Sequence, residues 1–171
     1  MPASRPRMVS AATPIIRRYR PAEDDAALRG VFHSAIHLIA SRDYTPEQIA
    51  VWAPDNFDAV QWAQRMRGID PWVAEIDGEV VGYADVQDTG YIDHFYVSGH
   101  HPRRGIGTAL MRHLHGQAQR MALNELTSHV SLTAQPFFSR FGFVIVEQRM
   151  PVVRGVAMSN ALMRKALDAA A

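Results

Sequence analysis

A chain of 171 residues that is 47% hydrophobic can bury one core unaided, and its lack of cysteine removes disulfides, thiolate metal sites and a thiol nucleophile together. The formal charge is only +1, and no apolar run reaches the roughly 18 residues of a membrane helix, so neither nucleic acid nor a membrane is the expected partner. A small molecule or a peptide is expected instead, with the cytoplasm as compartment, because no leader resembling a signal peptide opens the chain.

Residues 1–12, MPASRPRMVSAA, carry no pattern and read as a flexible tail, with residues 13–171 as a single domain. Ile15 to Tyr19 reads as a short strand closed by Arg20-Pro21. Asp24 and Asp25 then fall in the first turn of a helix over 24–40, where carboxylates complement the helix dipole. Leu28, Val31, Phe32, Ala35, Ile36 and Ile39 recur at helical spacing as its buried face. His33 and His37 lie four apart on this helix, a spacing that can share a metal; with no third ligand in view the pair reads as solvated, and no metal is expected. Thr45 as N-cap and Pro46 behind it start a brief helix stopped by Pro54, and another helix from Phe57 to about Arg67 ends at Gly68 as C-cap. Trp52, Phe57 and Trp62 crowd these helices, where they either pack on a sheet or wall a substrate pocket; Trp52 is the candidate substrate contact.

Trp72 to Ile76 and Glu79 to Val86, joined by Asp77-Gly78, carry the strongest short hairpin signal, and Tyr91 to Val97 adds a third strand to an antiparallel meander. From Gly105 to Met121 the period becomes helical, with Ile106, Leu110, Leu114 and Met121 on the buried side. Leu126 to Leu132 is a strand, Pro136 to Phe141 a short helix ended by Gly142, and Phe143 to Glu147 and Ala157 to Met163 are the final strands.

The segment HPRRGIGT, residues 101–108, lies where a strand hands over to a helix. The first N–H groups of that helix have no partner, glycines allow a ligand close to the backbone, and Arg103 and Arg104 add charge, so the loop suits a phosphate or pyrophosphate. Lys165 is the only lysine, so no Gly-Lys-Ser/Thr phosphate loop exists, and Leu110 stands where a dinucleotide fingerprint needs its third glycine. The cofactor is therefore expected to be a phosphorylated one held by another fold.

FYVSGHHPRRGIGTALM, followed by AQPFFSRFGF at 134–143, resembles the paired motifs of the GNAT N-acetyltransferases, and SLTAQPFFSRFGF with VVRG and SNALMRK looks like their YafP-type bacterial group. The resemblance spans about Ile15 to Lys165 and implies the α/β (α+β) GNAT acyl-CoA N-acyltransferase fold. In that fold a mixed, mostly antiparallel sheet is splayed in the middle, here between strands 91–97 and 126–132, with helices on both faces and acetyl-CoA in the split. It implies that backbone groups of Phe95 and Val97, next to Tyr96, pair with the pantetheine arm, that amides of Arg103, Arg104, Gly105, Ile106, Gly107 and Thr108 hold the pyrophosphate, and that Phe137, Phe138 and Arg140 flank the cofactor. The family's usual Gln or Arg is Pro102 here, and the tyrosine that often protonates the departing thiolate is Phe138.

Acetyl transfer needs a positioned neutral amine, a stabilised oxyanion and a proton for the thiolate. Strict alternation would place Tyr91, Asp93, Phe95 and Val97 on one face of their strand and Ile92, His94 and Tyr96 on the other. Asp93 and His94 are alternative bases: Asp93 shares the face of Val97, while His94 has the better unperturbed pKa. Tyr83, Tyr91 and Tyr96 are candidate acids, Tyr83 also a substrate contact, and Ser131 and Thr133 candidate polar contacts. The expected function is N-acetyl transfer to a primary amine of a small molecule or peptide, with a non-catalytic acyl-CoA-binding or sensor module as the alternative. The acceptor pocket is expected from Tyr44 to Trp62 and the hairpin near Met150 to Ala157, and a last strand able to pair across a two-fold allows a homodimer.

Overall fold

The structure is a computed structural model that describes residues 12–168. Of the segment read as a tail, residues 1–11 lie outside the described residues; Ala12 packs against the core. In chain order the first half comprises β1 (Ile15–Arg18), α1 (Asp25–Ser34), α2 (Pro46–Trp52), α3 (Ala59–Ile69), β2 (Trp72–Ile76) and β3 (Glu79–Ala84). The second half comprises β4 (Tyr91–Ile92), β5 (Phe95–Val97), α4 (Ile106–Arg120), β6 (Glu125–Ser131), α5 (Gln135–Arg140), β7 (Val144–Arg149), β8 (Val152–Val153), β9 (Val156–Ala157) and β10 (Asn160–Ala166).

Two four-stranded sheets share the run 91–97. The first has the order β1-β2-β3-β5 and is antiparallel throughout; the second has the order β4-β6-β10-β7, with β4 parallel to β6 and the other pairs antiparallel. The strand expected at 91–97 is therefore two strands, and the splay from β6 begins only after Ile92, because Tyr91 and Ile92 still pair with Thr127 and Ser128. The break at Asp93-His94 strips two amides of sheet partners. The buried Asp85 carboxylate replaces them, accepting from the N–H of Asp93 at 3.1 Å and of His94 at 2.6 Å. The break also resets the alternation: Ile92 joins Phe95 and Val97 in the core beneath α4, while His94 and Tyr96 pack against Phe32 of α1.

Each face of the first sheet carries part of the core. Ile106, Leu110, Met111 and Leu114 of α4 cover one face, and Leu28, Val31 and Phe32 of α1 with Trp62 and Met66 of α3 cover the other. This gives the expected GNAT layering, with helices on both faces. Met121, expected on the buried side of α4, lies past its end and is exposed. The hairpin turn has Asp77 and Gly78 both at positive φ, 50° and 80°, the conformation a two-residue connection requires.

Two helix ends differ from expectation. α3 is capped by Asp58, whose side chain accepts from the N–H of Val60 and Gln61, and it runs through Gly68 to end at Asp70, held in the left-handed region before Pro71. The helix expected over 24–40 leaves α geometry at Ala35 for one π-helical turn, 35–39, followed by a tighter turn at 40–42. There the Gly99 N–H donates to Ser34 Oγ and the loop packs onto the helix end. Widened turns of this kind serve sites, and Ala35, Ile36 and Ile39 line the groove described below.

Candidate active site

Where β5 leaves β6 a groove of about 710 Å³ opens. The pairing of β5 fixes the backbone groups that face it. The His94 carbonyl accepts from Asp85 N–H and the Ser98 N–H donates to the Val81 carbonyl, so even-numbered residues here face β3. Backbone polar groups alternate sides along a strand, so those of Phe95 and Val97 face the split, where an extended ligand arm can pair as an added strand.

Beyond β5 the chain turns through Ser98 to His101 and enters α4 at Gly105, which holds φ 71° in the left-handed region. A glycine N-cap has no side chain with which to satisfy the helix, so the amides of Ile106, Gly107 and Thr108 are left for a ligand at the positive end of a 15-residue helix. Arg103 and Arg104 stand exposed beside them. A Cβ on Gly107 would come within 3.3 Å of the Phe137 ring, so the glycine keeps the cradle open. Phe95, Tyr96, Val97, the run from Arg103 to Thr108, Phe137, Phe138 and Arg140 all line this one groove, and its amides and cations fit a pyrophosphate. Pro102 lines it too but has no N–H to offer.

At its inner end the groove meets a smaller cavity of about 180 Å³; Trp52, Phe95, Tyr96, Ser131, Ala134 and Phe138 line both. Asp93 is the one carboxylate of the smaller cavity among the described residues, half-buried and 3.5 Å from the Arg65 guanidinium. His129 stands in the same lining, its Nε2 accepting from Arg149 at 3.3 Å, which leaves Nδ1–H to donate to the Tyr91 hydroxyl at 3.1 Å. Asn160 adds a buried side-chain oxygen with no hydrogen-bond partner. Tyr44, Val153 and Met158 close the remaining wall, so this end draws on the expected segments 44–62 and 150–157. Trp62 instead sits in the core, its indole N–H donating to the Asp25 carbonyl, and Phe57 lies under Arg29.

Three catalytic or substrate candidates fall elsewhere. His94 is 5% exposed, and its Nε2 accepts from Arg65 Nε at 2.9 Å. Arginine can only donate, so the neutral ring carries its proton on Nδ1, which donates to the Tyr83 hydroxyl at 2.9 Å. Burial and the Arg65 charge push the His94 pKa down to about 3, and with both nitrogens engaged it is no proton acceptor at neutral pH. Tyr83 lies fully buried behind it, away from any substrate, its pKa raised by burial. Tyr91 stands outside both linings, bonded to His129. Asp85, Arg65, His129 and Asn160 carry no motif. The one usable signal was a carboxylate at the end of the otherwise apolar run Val80 to Ala84.

Comparison with known proteins agrees with this geometry. Residues 40–169 match the acetyltransferase (GNAT) domain. The chain belongs to the GNAT acetyltransferase family. Within that GNAT family it is 36% identical over 149 residues to the uncharacterized N-acetyltransferase YafP of Escherichia coli (strain K12), covering 87% of this chain and 93% of that one. A GCN5-related N-acetyltransferase from Rhodopseudomonas palustris superposes with a TM-score of 0.86 at 30% identity, covering 93% of this chain and 99% of that one. The structure of yncA from Salmonella typhimurium with its cofactor acetyl-CoA shares the fold, with a TM-score of 0.66 at 21% identity and coverage of 94% and 97%. Like other GNAT members the chain is an acetyl-CoA-dependent acetyltransferase. No helix among its described residues is long and apolar enough to cross a membrane.

Proposed function

We propose that this acetyltransferase moves the acetyl group of acetyl-CoA directly to a primary amine, of a small molecule or of a peptide, in a ternary complex with Asp93 at the amine. The observation that carries the reading is the junction itself: a groove suited to a phosphorylated arm runs into a cavity whose single carboxylate is Asp93. Acetyl-CoA supplies an acyl group activated as a thioester. The amides of Ile106 to Thr108 with Arg103 and Arg104 hold its pyrophosphate, and the backbones of Phe95 and Val97 align its arm.

The amine enters through the smaller cavity, where Asp93 attracts its cationic form and Asn160 Oδ1 accepts an N–H. Trp52, Tyr44 and Met158 favour an amine on a compact apolar body. The bound ammonium first gives one proton to solvent; Asp93 takes the second, which the neutral amine sheds as its lone pair forms the C–N bond, directly or through a water. The Val97 N–H faces the charge that gathers on the carbonyl oxygen. When the C–S bond breaks, the sulfur leaves with its electron pair and needs a proton that the Phe138 ring cannot give. Tyr96 lines both cavities, and because burial pushes its pKa up to about 12 and so disfavours a phenolate, its hydroxyl can hand the sulfur a proton only as one from solvent replaces it. Solvent at the cavity mouth then restores Asp93.

Asp93→Asn tests the assignment. Turnover with an amine panel, followed by thiol release, should show kcat/KM lower by about 10²- to 10⁴-fold, with acetyl-CoA affinity by titration calorimetry unchanged. Equal kcat/KM in the variant would remove Asp93 from the chemistry.

A further inference from the structure

His33 on α1 and His37 on the π-helical turn that follows it, a pair that lacks a third ligand in the sequence, have one in the fold. His33 Nε2 meets Asp55 Oδ1 at 2.6 Å, His37 stacks on His33 with ring centroids 3.8 Å apart, and one ligand atom from each of the three residues lies within 4.8 Å of the other two. Asp55 comes from the loop between α2 and α3, so two segments about 20 residues apart in sequence meet here. The His37 Nε2–H donates to the Ala53 carbonyl at 2.7 Å, which puts a further oxygen beside the cluster.

We infer that His33, His37 and Asp55 form a binding site for a divalent transition metal of the zinc class, separate from the transfer chemistry, that fastens the 53–58 loop to α1. Two imidazole nitrogens and a carboxylate oxygen are a donor set that zinc takes readily, with a fourth position left for water, while the Ala53 carbonyl holds the His37 ring through its Nε2–H. Zinc bonds of about 2.0–2.1 Å place tetrahedral ligand atoms roughly 3.3 Å apart, so the His33–Asp55 contact has to open and the other gaps have to close by no more than about 1.5 Å. Both adjustments are open to these residues. Asp55 is 87% exposed on a loop, and the stacked rings need only turn apart about their own bonds, His37 from a π-helical turn. Metal entry displaces the shared proton of the His33–Asp55 pair, and the exposed side gives the ion a path in.

Local charge sets the role of each ligand. Arg29, one turn before His33, is held by the Pro54 carbonyl at 2.6 Å and lies over the Phe57 ring, so its cation opposes an incoming ion. Asp55 offsets that charge, which makes it as necessary as the histidines. The site also has a mechanical consequence. Trp52 ends α2 directly before Ala53 and lines both cavities, so fastening residues 53–58 to α1 braces the wall between donor and acceptor.

The test is a titration of the full chain with Zn²⁺ by calorimetry, with Co²⁺ as a spectroscopic probe. The wild type is expected to bind one Zn²⁺ per chain and to show Co²⁺ visible absorption of the intensity that low coordination number gives. His33→Ala, Asp55→Asn and His37→Gln, which keeps a donor for the Ala53 carbonyl, are each expected to weaken Zn²⁺ binding by tenfold or more and to lose the Co²⁺ bands. His113→Ala, on α4, should leave both unchanged. All four are partly or fully exposed positions, so melting in the absence of metal should stay close to wild type. Absence of Zn²⁺ binding in the wild type, or wild-type affinity in any of the three ligand variants, overturns the site.

Discussion

On the proposed assignment the donor groove takes its binding groups from one nearly continuous stretch, Phe95 to Thr108, and mostly from the main chain, whereas the smaller cavity is lined by Tyr44, Trp52, Asp93, His129 and Asn160 from five separate places. Backbone amides at a helix N-terminus do not depend on which side chains surround them. The cradle at Gly105 to Thr108 can therefore present its amides with Pro102 in the lining, provided Gly107 leaves room in front of them. The pocket has no such protection, since each wall is a side chain on an element that any substitution can refit.

The sharpest way to break this division is from the groove side. Gly107→Glu puts a carboxylate and a Cβ 3.3 Å from the Phe137 ring into the mouth of the cradle. Calorimetry should find acetyl-CoA binding lost, by at least 100-fold, and turnover lost with it, while the helix position carries only about the 1 kcal/mol scale of propensity differences and the fold survives. Retained affinity would mean that the pyrophosphate lies elsewhere.

From the pocket side, His129→Ala removes a ring that lines only the acceptor cavity and lies exposed between Arg149 and Tyr91. The amine KM should rise about tenfold, the scale of one well-placed polar contact, with the acetyl-CoA dissociation constant unmoved. A matching loss of acetyl-CoA affinity would show the two ends to be one site energetically.

The same contrast explains what the sequence could reveal. HPRRGIGT and AQPFFSRFGF are contiguous, and the physics they encode is local: a helix start, a glycine cap, a strand edge. The hairpin at Asp77-Gly78 and the helix start at Thr45-Pro46 were legible for the same reason. The pocket depends on pairings such as β10 with β6, which bring Asn160 opposite Ser131 across 29 residues and leave no local trace. The break at Asp93-His94 was hidden too, because seven residues of strand-forming composition conceal a change of sheet that only Asp85, from the neighbouring strand's end, makes possible. That change moved Ile92 to the side of Phe95 and Val97, while His94 kept the side of Tyr96 that alternation gives it.

Asp85 therefore underlies both halves of the comparison, since it holds the amides at the point where groove and pocket meet. Burial pushes its pKa up to about 6 despite the hydrogen bonds it accepts from Asp93, His94 and Gln87. A carboxyl whose folded pKa lies above its unfolded value near 3.8 contributes stability that is complete below that value and is lost as pH rises through 6. His94 works in the opposite direction. With its pKa lowered from 6.5 to about 3, the folded ring sheds a proton that the unfolded ring keeps, so stability grows as pH climbs between those values. In the wild type the two slopes offset each other between pH 4 and 6. Asp85→Asn removes one of them while still offering the amides an oxygen. Its unfolding free energy, measured in urea, should be lower than wild type at pH 4 and should then rise with pH more steeply, by up to about 1.4 kcal/mol per pH unit. Parallel curves would mean that Asp85 stays ionised in the fold throughout, so that the parting of the two sheets is held by a charged acceptor and His94 would have to be balanced by another group.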